Sequence, residues 1–509
     1  MGKLLPQFQK SIIEDVVYSI TSNVANYYAF AANPIAYSGA TPDIANNDYT
    51  TTFVNDWQML FGKQLANSDV LPVITNIPWT YNTFYNRYDN LSTYLTNYYV
   101  VTPPAETGGD YNIYKCLDNA GGVNSTAMPD QKQPNSFYTT DGYLWRYIAT
   151  ITDSRYTKFA TDNYVPIVAN GIIVAGAYTY SGIETVVITN SGTNYQCYAN
   201  GIIQQNPNTT VVQIENNRAV SADFYTGCAM YIYNTDQQNA QLKLISRYVV
   251  NTSGKYVYFS SPANTQSIMA GVTQYDIAPA VIFDTDADVK PIARCFVNPS
   301  TNTIANVQII EPGYGVSWCN VSIQSNTTFG SGANVYAIIP PSGGHGSNPI
   351  NELQAQGMAI SFTFSNTEYG TILGNTIYNK IGLIKNPYTA TEYGTKSNYL
   401  YSANAFSSVL TGNVTMQFTV GDTVIGQTSK ARGTVAFCNS TILSLTGDKY
   451  FANGETVISA TSISTNSQLI INTRGDVYTK GLQPLYVQNI SNVQRDPNAA
   501  ESFKLIIKI

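Results

Sequence analysis

Of the 509 residues only 11% are charged, against roughly 25% in an ordinary soluble protein, and the net charge is -6. That balance supplies no basic stripe for nucleic acid, the sequence holds no run of about 20 apolar residues that would span a membrane, and a 44% hydrophobic content excludes a disordered chain. Neutral polar residues and 40 tyrosines stand where charge is missing.

The start of the chain, Met1 to Lys10, lacks the apolar stretch of a signal peptide. Ser11 and Glu14 have the spacing of a capping box, and Ile12, Ile13, Val16, Val17, Ile20 and Val24 recur at helical steps behind them. Phe53, Val54, Trp57, Leu60, Phe61 and Leu65 predict a second helix. Both stripes read as core-facing, packed on a sheet.

Downstream, short strands alternate with Gly, Asn, Ser and Pro. Two internal repeats emerge. Ile183, Val186, Ile188 and Gly192 recur as Ile304, Val307, Ile309 and Gly313 at an offset of 121. An F-x-x-G-[DE]-T-V pattern begins at Phe418 and again at Phe451, an offset of 33. Two copies are too few for a solenoid. At the end, Phe503, Leu505, Ile507 and Ile509 alternate with Lys504, Ile506 and Lys508, a strand that is worth ordering only if it joins an existing sheet.

The expected organisation is mainly β: a β-sandwich-like core with two N-terminal helices and inserted small β modules. Residues 1–175 form the N-terminal part of the core, 176–335 inserted β structure with the first repeat, 336–404 the core's continuation, 405–475 a small β module with the second repeat, and 476–509 strands returning to the core.

Catalytic signals are sparse. The single histidine, His345, sits in a Gly-rich loop without a nucleophile motif and reads as a turn or packing residue. On a strand Asp284, Asp286 and Asp288 would share a face, but the Gly and Glu of a calcium loop are absent, so a solvated strand face or loop is the expectation. Cys116, Cys197, Cys228, Cys295, Cys319 and Cys438 are too dispersed for a zinc knuckle or redox pair and read as small hydrophobes in a chain made in a reducing cytosol. No catalytic residue, metal ligand or cofactor is assigned.

Several segments carry a resemblance in shared order. Tyr114-Lys115-Cys116-Leu117-Asp118-Asn119, then Ser125-Thr126 and Pro129, then Asp141-Gly142-Tyr143-Leu144-Trp145-Arg146-Tyr147 form the first. Trp57, Val70 and Ile77-Pro78-Trp79 through Tyr88-Asp89 precede it. Gly343-Gly344-His345-Gly346 with Asn348-Pro349 and Glu352-Leu353 follow, then Ile381 to Pro387, then Leu485 to Asn489, Arg495 and Phe503–Ile509. Together they resemble the dimeric baseplate wedge subunit of T-even-like contractile-tailed bacteriophages, in its cyanophage-type form, over roughly residues 10–175, 335–400 and 476–509. The family usually has an acidic pair before its last strand, where Glu501 and Ser502 stand here.

The resemblance implies a non-enzymatic virion protein of the tail baseplate, made in the host cytoplasm. It implies a homodimer that contacts other wedge subunits and takes part in the sheath-contraction switch. A tail adhesin recognising host glycans is the alternative, because Tyr- and Asn-rich β domains of low charge also suit sugars. Tyrosines exposed at subunit contacts are expected on the first reading.

Overall fold

The computed structural model describes residues 6–36, 38–39, 42, 58–92, 96–168, 182–235, 239–324, 330–365, 372, 374–391, 395–407, 409–415, 418–447, 451–460, 468–473, 477–478, 482, 484–496 and 498–509. The fold is mainly β, built from antiparallel sheets. It divides into two compact units: residues 1–74, 157–160 and 355–509, and residues 75–156 and 161–354.

The first unit is sandwich-like. Its five-stranded sheet runs in the order Ala405–Ser407, Met59–Gln64, Tyr27–Ala32, Ile377–Lys385, Pro484–Gln494. Alternation along Tyr27–Ala32 explains its wholly apolar sequence. Tyr27, Ala29 and Ala31 enter one core with Met358, Ile360, Phe362 and Leu505. Tyr28, Phe30 and Ala32 enter another with Tyr401 and Phe406. In the facing sheet the terminal strand Ala500–Lys508 pairs with Gly357–Ser365, which pairs with Val70–Thr75. The end of the chain thus shares a core with its beginning. Gly382, mid-strand, has no room for a side chain: an added Cβ would lie 2.5 Å from both Phe30 Cζ and Tyr486 O.

A helix spans Pro6–Thr21 and buries Ile13 and Ile20. It starts five residues before Ser11, so Ser11 and Glu14 lie inside it and do not form a capping box, and Val24 lies beyond its end and is exposed. The second predicted helix is corrected in part. Leu60 and Phe61 belong to the strand Met59–Gln64, where pairing with Tyr27–Ala32 overrides the helical spacing. Phe53, Val54 and Trp57 lie outside the described residues.

The F-x-x-G-[DE]-T-V repeats belong to a closed six-stranded barrel of Val409–Val414, Thr423–Gly426, Arg432–Cys438, Ile442–Gly447, Thr456–Ser459 and Gln468–Thr473. Exchanging the first three strands for the last three maps the barrel's strand order onto itself. Leu410 faces Leu443, and Ile425 faces Ile458. Each pair is separated by the repeat offset, so a pseudo-two-fold axis crosses the wall at both points. The motif residues have matching tasks. Phe418, Phe451, Val424 and Val457 fill the barrel core. Gly421 and Gly454 turn the chain at φ 93° and 78°. Asp422 accepts from the Thr419 amide, and Glu455 from the Ala452 amide.

In the second unit, strands Tyr99–Thr102, Tyr111–Asn119, Tyr143–Ile151 and Phe137–Tyr138 form one sheet. A ten-stranded sheet occupies much of residues 199–324, and Thr185–Thr193 pairs with Ser331–Ile338. The first repeat lies here. Ile183, Val186, Ile304 and Val307 share one core, with Ile188 and Ile309 packed on it. Hydrogen bonds from Ile183 N to Pro312 O (2.7 Å) and from Tyr195 N to Asn302 O (2.9 Å) set the two segments side by side, antiparallel. Residues 75–156, read from the sequence with the N-terminal core, share this unit with residues 182–354. Tyr336, whose hydroxyl donates to Leu117 O and Asp118 Oδ1, is one of the ties.

Many tyrosines are internal. Tyr28, Tyr85, Tyr98, Tyr114, Tyr143, Tyr195, Tyr248, Tyr275 and Tyr378 are among the largest fully buried side chains. Their hydroxyls commonly reach main-chain carbonyls, as Tyr28 does at Ala403 and Tyr248 at Ala219. Tyr18, Tyr81, Tyr138, Tyr314 and Tyr399 are exposed.

Candidate functional site

Lys115 and Arg146 stand directly opposite each other on the paired strands Tyr111–Asn119 and Tyr143–Ile151. Alternation sends their neighbours Tyr114, Cys116, Trp145 and Tyr147 to the other face, into an aromatic core. Both cations are nonetheless buried, Lys115 at 0% and Arg146 at 1% exposure. Like charges placed so repel, and a buried charge without a partner is costly. The fold must bring anions to this face.

It brings two carboxylates and the histidine. Glu352 ends the short helix Pro349–Glu352, which Asn348 caps by accepting from the Asn351 amide. Glu352 Oε1 lies 2.9 Å from Lys115 Nζ and 2.5 Å from His345 Nδ1, and Oε2 accepts from the Gly346 amide at 2.6 Å. Glu184, just before the strand Thr185–Thr193, is anchored by its own amide donating to Ile338 O. Its Oε1 lies 3.1 Å from Arg146 Nη1, and its Oε2 lies 2.9 Å from His345 Nε2. This last contact falls outside hydrogen-bond geometry. The Tyr88 ring closes the site, its centroid 3.3 Å from Lys115 Nζ. Tyr98 donates its hydroxyl to Glu352 O.

The electrostatics follow from enclosure. Burial alone would raise both glutamates. For Glu184 the charges of His345, Arg146 and Lys115 outweigh it and hold the carboxyl below its ordinary value. For Glu352 the same is done by Lys115, His345 and the Gly346 amide. Burial pushes the Lys115 ammonium down, opposed by Glu352 and Glu184. Both ring nitrogens of His345 face carboxylate oxygens.

His345 is therefore more than a turn residue: it bridges two carboxylates inside a charge cluster, its side chain fully out of solvent. Sequence reading named its loop and the segments of Lys115, Arg146 and Glu352 but did not join them, because their spacing is spatial. A lysine and an arginine inside apolar strand runs, "YKCL" and "LWRY", were the available signal. Glu184 had none.

The other motif residues are also consumed internally. Asp141 accepts from the Ser125 hydroxyl, the Thr126 and Ala127 amides and the Thr139 hydroxyl. These bonds hold its carboxyl below the ordinary value against the opposing effect of burial. Trp79 Nε1 donates to Ser125 Oγ at 3.1 Å. In the first unit, buried Arg495 pairs with Glu501 Oε2 at 3.0 Å and lies over the Phe61 ring.

The aspartate triplet does not assemble. The strand ends at Thr285, so the three residues do not share a strand face, and Asp286 accepts from the Ser317 hydroxyl and amide and from the Trp318 amide. Among the described residues no group of three or more His, Cys, Asp or Glu is placed to hold a metal. Cys116, Cys197, Cys228 and Cys295 are buried, while Cys319 and Cys438 are half-buried. No protein-family model and no curated relative matches the chain.

Proposed function

We propose that this chain is a structural virion protein, a wedge subunit of a contractile phage tail baseplate. It bridges neighbouring wedge proteins, pairs with a second copy of itself, and takes part in baseplate assembly and the sheath-contraction switch. The observation carrying this reading is the fate of the motif segments. Lys115, Arg146, His345 and Glu352 are spent on one another in an enclosed cluster. Arg495 and Glu501 do the same in the other unit. Side chains used this way fix a fold instead of meeting a substrate. Low charge supports the reading too, since a surface with few charges loses little solvation when covered by partners.

The test is immunogold labelling of intact tails with antibody to this chain. Gold confined to the baseplate is expected. Gold at fibre tips, with adsorption of the isolated protein to host cells, would favour a glycan-binding adhesin instead.

A further inference from the structure

The Lys115, Glu352 and His345 arrangement exceeds what a buried ion pair needs. The amine nitrogen lies 2.9 Å from one oxygen of the carboxyl it would attack, and neither side chain is open to solvent. The second oxygen accepts from the Gly346 amide at 2.6 Å, where negative charge would develop. His345 Nδ1 lies 2.5 Å from the first oxygen and 3.4 Å from Nζ, within reach of both atoms that must exchange protons. Glu184, 2.9 Å from Nε2, holds the ring in place. The Tyr88 ring confines the ammonium. Reactants, proton carrier and oxyanion donor are all held in one water-excluded enclosure.

We propose that Lys115 and Glu352 become joined by an intramolecular amide bond, formed in the folded chain with loss of one water.

The step balances without a co-reactant. Lys115 Nζ passes a proton to Glu352 Oε1, giving a neutral amine and a neutral acid. Burial works toward this exchange by penalising both charged forms, against the pull of Lys115, His345 and the Gly346 amide on the Glu352 carboxylate. The nitrogen lone pair then attacks Cδ, and charge moves to Oε2, against the Gly346 amide. His345 Nδ1 takes the extra proton from the newly bonded nitrogen and passes it to Oε1, the C–O bond breaks, and water leaves as the Oε2 carbonyl re-forms. An ammonium and a carboxylate become an amide and water, and His345 ends as it began. The bond would tie the strand Tyr111–Asn119 to the helix Pro349–Glu352 across 237 positions of chain.

Mass spectrometry of the purified, folded full-length chain tests this. The expected result is an intact mass lower by one water than the processed sequence requires. A digest should yield a branched peptide joining the Lys115 and Glu352 segments. Lys115→Arg and Glu352→Ala should each restore the full mass. Glu184→Gln, which leaves both reacting groups in place, should slow the appearance of the linked form in a pulse-chase time course that starts at synthesis of the chain; this kinetic readout separates positioning from packing. Wild-type protein that is folded by circular dichroism and gel filtration, yet keeps its full mass and gives only unbranched peptides, overturns the proposal. Because that measurement uses the wild type, a variant that fails to fold does not rescue it.

Discussion

Arg146 and Glu184 form a buried pair, 3.1 Å apart, with the glutamate's other oxygen against His345. Removing one partner of such a pair leaves the other charged and enclosed. Arg146→Met is expected to lower stability by about 3–5 kcal/mol, whereas Arg146→Met with Glu184→Leu recovers a large part of that loss. Urea unfolding followed by tryptophan fluorescence measures both. Equal losses in the single and double variants would mean that charge enclosure is not what the site is built around.

The pair also sets a pH window. Glu184 is held below its ordinary value of 4.5 by its cationic neighbours, which outweigh burial. A carboxyl with a depressed folded pKa contributes stability that is fully present above the unfolded value and is lost as pH falls through the folded one. The advantage of wild type over Glu184→Gln should therefore be flat above about pH 5 and narrow below the ordinary glutamate value. Unfolding midpoints taken from pH 7 to pH 3 supply the comparison. An advantage that grows on acidification would contradict the assignment.

Asp141 holds a loop by its acceptor bonds. Asp141→Ala leaves the Thr126 and Ala127 amides without their acceptor, at a cost of about 1–3 kcal/mol. Hydrogen exchange should quicken at those two amides and at Tyr143, which also donates to Asp141. Unchanged exchange there would show that the loop is held by other bonds.

The barrel's symmetry has an energetic consequence. Leu410 and Leu443 face each other across the pseudo-two-fold axis, both buried in the barrel core. The axis relates their positions in the core, so Leu410→Ala and Leu443→Ala are expected to cost similar amounts, within the roughly 2–5 kcal/mol range of such truncations. Thermal unfolding of the two variants compares them directly. A large inequality would argue that the two halves pack differently.

How far the sequence was legible depended on the range of each interaction. The strand at Phe503–Ile507 showed in its alternation, because one face is buried and the other is not. The helix showed in Ile13 and Ile20, but its start did not, since Pro6 begins it without the Ser11 cap that spacing suggested. Leu60 and Phe61 fit a helical stripe and became a strand because both flanking strands supply ladder partners. The barrel repeat was visible as F-x-x-G-[DE]-T-V, whereas its closure depends on pairings between copies. The charge cluster was the least legible. Its members lie up to 237 positions apart, and an isolated lysine in a strand does not announce which glutamate it meets. Composition alone also does not divide the tyrosines by place: many fill the chain's own cores, while Tyr18, Tyr81, Tyr138, Tyr314 and Tyr399 are exposed.

The proposed role of this chain is that of a structural part of the baseplate. A single-particle reconstruction of intact contractile tails containing the chain addresses it most directly. The expected result is density in the wedges around the tail hub into which both compact units fit, present as a pair of copies at each wedge. Density for the chain found only in tail fibres or the sheath, with none in the wedges, would contradict it.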